Sequence, residues 1–134
     1  MREELVATWV SDNGIPRITV EGEVNISTRP LLDKVLCEAR TQEPFSLIVS
    51  LEKCTYCDSA GLAVLMRHGR QVPHFIVISP EDTAVRRLLR ITRLDQVFDV
   101  VQNGEIARAR CAVPSTSPRR SQFGDAENDR RAQA

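Results

Sequence analysis

Two short apolar runs constrain this chain more than anything else in it. Phe45 to Leu51 (FSLIVSL) and His74 to Ile78 (HFIVI) are too short for buried helices, and neither is a strict apolar/polar alternation. Such runs read as strands covered on both faces, the pattern of central strands in a parallel sheet. Between them Leu62, Leu65, Met66 and Gly69 recur at helical spacing. Arg67, His68 and Arg70 gather in that helix's last turn, where cations offset the helix dipole. Strand, helix and strand in this order predict a parallel pair joined by a right-handed crossover.

The flanking sequence extends this unit on both sides. Leu5 to Val10 is strand-like, and Asn13-Gly14 supplies the positive φ angles of a two-residue hairpin turn into a second strand, Ile15 to Glu21. Pro16 cannot donate to a ladder and belongs at that strand's start or on an unpaired edge. A polar turn from Gly22 to Thr28 leads to a helix with Leu31, Leu32, Val35, Leu36 and Ala39 on one stripe, Pro30 in its first turn and Thr28 as its cap. Ser79-Pro80-Glu81-Asp82 reads as the start of a third helix, whose core face would be Val85, Leu88, Leu89 and Thr92. A short strand around Phe98 to Val101 and a last weak helix from Gly104 to Cys111 complete the pattern. The fold class is therefore α/β, a mixed β-sheet that begins with an antiparallel hairpin, has central parallel strands and is packed by helices.

Length and composition bound the functional classes. The 134 residues suit one domain, expected over residues 1–112. From Val113 onward the only aromatic is Phe123, too little apolar surface to offset the entropy of ordering, so 113–134 is expected to be a disordered tail. Eighteen basic residues balance eighteen acidic ones, so no global field draws the chain to nucleic acid or to an anionic membrane. The start, Met1-Arg2-Glu3-Glu4-Leu5, carries acid where a signal peptide needs base. No run reaches the roughly 18 apolar residues of a membrane span, and a cytoplasmic protein is expected. Cys37, Cys54, Cys57 and Cys111 are scattered, so reduced thiols are the default.

The stretch from Cys54 to Leu62, CTYCDSAGL, carries two competing chemistries. Its C-x-x-C pair invites a thiol oxidoreductase using Cys54 and Cys57. A carboxylate at Asp58 would raise the neighbouring thiol's pKa, however, and a zinc site lacks two further ligands at suitable spacing. No metal or cofactor is expected. The other chemistry belongs to the hydroxyl. If Asp58 caps the helix, Ser59 becomes its first residue and faces solvent, and Gly61 is expected to remove bulk so that a partner surface can approach. Ser59 as a hydrolytic nucleophile is disfavoured, because G-x-S-x-G is absent and no His is placed as its base.

Three spaced motifs carry a resemblance to a known family. CDSAGLAVLMR (Cys57 to Arg67) resembles the D-S-x-G-L signature of the STAS domain, named for sulfate transporters and anti-sigma-factor antagonists. VEGEVNISTRPLLDKVL (Val20 to Leu36) resembles that family's turn and first helix, and AVRRLLRITRLDQVFDV (Ala84 to Val100) its third helix and last strand. The resemblance spans roughly residues 5 to 110. For a stand-alone member it implies an anti-anti-sigma factor, no enzyme itself, which binds an anti-sigma factor with serine kinase activity and so releases a sigma factor. It also implies Ser59 as the phosphoacceptor that ends binding, and a partner surface containing Asn25, Ser50, Asp58, Ser59, Ala60 and Gly61. Asn25 and Ser50 stand where the family carries Asp, which removes two carboxylates expected near Ser59. Those replacements motivate the alternative of a constitutive STAS interaction or ligand-binding module without phosphoregulation. Ala60 replaces a second serine common among relatives and leaves Ser59 as the motif's sole serine.

Overall fold

In a computed structural model, residues 5–112 are described; the tail expected over 113–134, and Met1 to Glu4, lie outside them. The chain runs through β1 (Val6–Asp12), β2 (Ile15–Val24), α1 (Arg29–Ala39), β3 (Ser46–Cys57), α2 (Ser59–Gly69), β4 (His74–Ile78), α3 (Ala84–Ile91), a 3-10 turn (Leu94–Gln96), β5 (Asp99–Val101) and α4 (Gly104–Ala112). One five-stranded sheet has the order β1-β2-β3-β4-β5. β1 pairs antiparallel with β2, and every later neighbour is parallel.

The hairpin forms where its turn chemistry demands, with φ of 55° at Asn13 and 82° at Gly14. Pro16 sits opposite Ser11 in the ladder with β1, one residue before β2 begins to pair with β3 at Arg17, so no β2–β3 hydrogen bond is lost to its missing N–H. The two apolar runs become β3 and β4, paired from Ser46↔His74 to Ser50↔Ile78.

Alternation along these strands sorts the core into two layers. On one face Ile18, Val20, Leu47, Val49 and Val77 pack with Leu32 and Leu36 of α1, Leu62 and Leu65 of α2, and Val85 and Leu89 of α3. On the other, Ile48, Ile76, Ile78 and Val101 pack with Ala107 of α4. The central strands are thus covered on both sides, which explains why their sequences do not alternate.

Several local expectations differ from the structure. Thr28 occupies the N-cap position of α1 but makes no side-chain cap bond. The turn is held by Asn25, whose Oδ1 accepts from the amides of Ser27 (2.9 Å) and Thr28 (3.1 Å). α3 starts at Ala84, later than the Ser79 signal suggests, because Thr83 is the better placed cap and accepts from the Arg86 amide at 3.1 Å. Thr92 caps that helix at its C-terminus and is exposed, and Leu31 is 38% exposed, off the buried stripe of α1.

Candidate functional site

β3 is the longest strand and runs beyond the end of β4, paired there with β2 alone. Over this extension Thr19 to Val24 of β2 faces Ser50 to Cys57 of β3, so β3 carries two more residues than its partner, taken up at two register shifts. Bulges of this kind bend a strand end and re-aim the side chains beyond them. In this chain they re-aim the CTYCDSAGL stretch.

Cys54 and Cys57 point into the core and are each 5% exposed. Burial, then the neighbouring Cys54 and Asp58, pushes the Cys57 thiol up to about 12. Burial also raises Cys54. A redox thiol needs an accessible thiolate near neutral pH, and these two have the opposite environment. They fill the core below the site.

At Asp58 the chain leaves the sheet. The Asp58 amide donates to the Val24 carbonyl at 3.1 Å, fastening the start of α2 to the end of β2. Asp58 has extended backbone, and its Oδ1 accepts from the Gly61 amide at 3.0 Å, an N-cap that satisfies one orphan donor of α2. Ser59 is therefore the first residue of α2 and is exposed, with Ala60 half-buried beside it. Asn25 comes directly after Val24, so the β2–α1 turn and the α2 N-terminus lie side by side.

Two residues expected at the partner surface are buried. Gly61 is buried, and a Cβ on it would lie 2.5 Å from Val24 Cγ1 and 2.8 Å from Cys57 Sγ. Its missing side chain lets α2 close on the sheet. Ser50 is only 4% exposed, and its hydroxyl donates to Glu52 Oε1 at 3.1 Å. Its ladder partner Thr19 is five residues before Val24 (24 − 19), which at about 3.3 Å per residue puts Ser50 roughly 16 Å from the Val24–Cys57 end of the strand pair. Asn25, Asp58, Ser59 and Ala60 come together; Ser50 does not join them. Sequence reading missed two exposed apolar side chains at the same junction, Ile26 (66%) and Tyr56 (50%). Each stands two residues from the Val24–Asp58 bond, and their signal is apolarity inside otherwise polar segments.

A second polar cluster joins α1 to α2. His68, expected as a solvated cation at a helix end, is 1% exposed. Its Nε2 lies 2.6 Å from Asp33 Oδ1 and its Nδ1 2.8 Å from Arg40 Nη1. Burial lowers its pKa below 6.5, aided by the Arg40 and Arg67 charges and opposed by Asp33. The hydrogen bond from His68 holds the Asp33 carboxyl below its ordinary 3.8, with Arg67 adding to the effect and burial opposing it. Cys37 completes a group whose ligand atoms lie within 4.8 Å of one another. Arginine only donates, so Arg40 fixes Nδ1 as an acceptor and leaves the proton on Nε2, toward Asp33. A cation ligated there would have to displace that proton and lie among the Arg40 and Arg67 guanidinium groups. The group reads as an interhelical clasp.

Comparison with known proteins places these features in context. The chain is similar to the anti-sigma-F factor antagonist RsfB of Mycobacterium tuberculosis, at 20% identity over 98 residues covering 72% of this chain and 80% of that protein. In fold it is similar to an anti-sigma factor antagonist from Mycobacterium paratuberculosis, with a TM-score of 0.75 at 21% identity over 80% of this chain and 93% of that one. It is also similar to the Bacillus cell fate determinant SpoIIAA in its phosphorylated form, with a TM-score of 0.56 at 16% identity over 82% and 99% of the two chains. No helix among the described residues is long and apolar enough to cross a membrane. The family model described as "Mlab, STAS domain" matches residues 10–102, and the chain belongs to the STAS domain family.

Proposed function

We propose that this chain is an anti-sigma factor antagonist whose partner is an anti-sigma factor with serine kinase activity, and that phosphorylation of Ser59 ends their binding. The observation that carries this reading is the exposed Ser59 at the first position of α2, with its backbone fixed by the Asp58 cap and the Asp58–Val24 bond. The names of relatives in the same family support the partner class. The reading places the protein in the cytoplasm, acting as substrate and switch, with no catalysis of its own.

In the transfer, Ser59 Oγ gives its proton to a base of the partner or to solvent and bonds to the γ-phosphorus of the partner's ATP as the bond to the departing ADP oxygen breaks. The product carries about −1.5 to −2 charges at a helix N-terminus, which tolerates anions, so the fold survives. A partner packed over the same spot meets a desolvated phosphate, a cost of several kcal/mol, and each 1.4 kcal/mol is about tenfold in affinity.

The test pairs this chain with each purified anti-sigma kinase of its source genome and ATP. Phosphate mapped to Ser59, with partner binding lost in Ser59→Asp and kept in Ser59→Ala, is the expected result. Tight binding indifferent to Ser59→Asp, with no phosphate on Ser59, would instead favour a constitutive module.

A further inference from the structure

Ser59, Ala63 and Arg67 succeed one another at i, i+4 and i+8 and form the exposed stripe of α2, which the exposed C-cap residue Arg70 continues. Beside this stripe runs a groove of about 270 Å³, lined by Arg29, Pro30 and Asp33 of α1 and Ala63, Val64 and Arg67 of α2. The groove's one carboxylate, Asp33, is already committed, since it accepts from both Arg67 and His68. Arg29 and Arg70 are exposed and have no ion-pair partner among the described residues. The whole chain is formally neutral, so this basic strip is a local imbalance running away from Ser59.

We propose that the α1–α2 groove seats an acidic surface element of the partner protein, with Arg29 of the groove lining and Arg70, farther along the exposed stripe beyond the groove, as its charge contacts and the short Ala63 side chain between them. The proposal rests on the partner-switching reading of Ser59 and deepens it. The short side chains of Ala60 and Ala63 near Ser59 let the partner backbone approach, and the arginines set its direction along α2. Phosphate on Ser59 would then stand at the end of the same stripe as the bound carboxylates, so that repulsion acts on an element already aligned with it. Charges at the rim of an interface act mainly on association, steering encounter at low ionic strength.

The experiment measures association and dissociation rates of an anti-sigma factor that binds the unmodified chain, across a salt series. Arg29→Glu and Arg70→Glu are each expected to slow association about tenfold at low salt, with the difference shrinking at high salt and the native fold retained by circular dichroism. Arg108→Glu, on α4 across the sheet, makes the same change in net charge and is expected to leave the rate within about twofold. Equal rates for all three variants would overturn the groove while leaving Ser59 regulation standing, since Ser59→Asp would still abolish binding. Failure of every anti-sigma factor to bind the unmodified chain would overturn both. Arg29- and Arg70-dependent binding of a random-sequence DNA duplex, in place of a protein, would overturn the acidic-protein assignment.

Discussion

His68 Nδ1 accepts a hydrogen bond from Arg40 at 2.8 Å while Nε2 faces Asp33 at 2.6 Å, so one buried imidazole joins two points of α1 to α2. Acid would protonate Nδ1 and set two cationic donors against each other. Because the folded pKa lies below the unfolded value of 6.5, the stabilisation is complete above that value. It declines as the pH falls toward the folded pKa, with a slope of at most about 1.4 kcal/mol per pH unit. Asp33 adds a separate loss lower on the scale, since its stabilisation is present above 3.8 and disappears as pH falls through its lowered folded value. Urea unfolding at a series of pH values is expected to show the first decline in the parent chain and a flatter curve in His68→Gln. Identical slopes would contradict the role given to His68.

Gly61 tests a different relationship, the contact of α2 with the sheet. Gly61→Ala would normally favour a helix, but its Cβ would meet Val24 Cγ1 at 2.5 Å and Cys57 Sγ at 2.8 Å. The expected cost is about 1–3 kcal/mol of overpacking, seen as a fall in Tm. Val24→Ala makes room, so the double variant is expected to be more stable than the sum of the two single losses predicts. Additive losses would show that the contact does not limit α2.

The parts legible in the sequence are those carried by local pattern. Asn13-Gly14, the apolar runs of β3 and β4, and the Asp58 cap each state their structure within a few residues, and all appear where expected. The misread parts depend on groups distant in sequence. Gly61 faces Val24 and Cys57 across the α2–sheet contact, which helix spacing cannot reveal. His68 finds its acid on α1 and its arginine at that helix's C-cap, 35 and 28 residues upstream, so from local sequence alone it reads as part of a basic last turn. Ser50 is buried and distant from Asp58 because the bulged, extended course of β3 converts the residues between them into distance, which the motif alone does not state.

That distance separates Asn25 and Ser50, the two positions where the resemblance to the family implies a carboxylate. Asn25 uses Oδ1 to bind the Ser27 and Thr28 amides, and a carboxylate oxygen performs the same task. Asn25→Asp is expected to keep stability within about 0.5 kcal/mol, while Asn25→Ala loses about 1 kcal/mol. Ser50→Asp buries a charge beside Glu52, its present hydrogen-bond partner, and is expected to lose about 2 kcal/mol or more. In kinase assays Asn25→Asp is expected to change the rate of Ser59 phosphorylation. Ser50→Asp is expected to leave that rate unchanged in the folded fraction. A rate change confined to Ser50→Asp would reverse this assignment.

Asp58 combines a cap with a charge, and the two can be separated. Its Oδ1 accepts from the Gly61 amide at 3.0 Å, and its own amide binds the Val24 carbonyl at 3.1 Å through backbone that any side chain retains. Asp58→Asn keeps a strong capping residue and is expected to unfold within about 0.5 kcal/mol of the parent, whereas Asp58→Ala loses about 1 kcal/mol. The negative charge beside Ser59 opposes arrival of a second anion, so phosphorylation of Asp58→Asn is expected to be at least as fast as that of the parent if Asp58 serves only to present the hydroxyl. A large fall in phosphorylation of the stable Asp58→Asn variant would show that its carboxylate takes part in the transfer, through the proton or through the partner's metal-nucleotide. Equal losses in both variants, with Ser59 still exposed by hydroxyl-specific labelling, would assign the effect to charge. A loss only in Asp58→Ala would assign it to the cap.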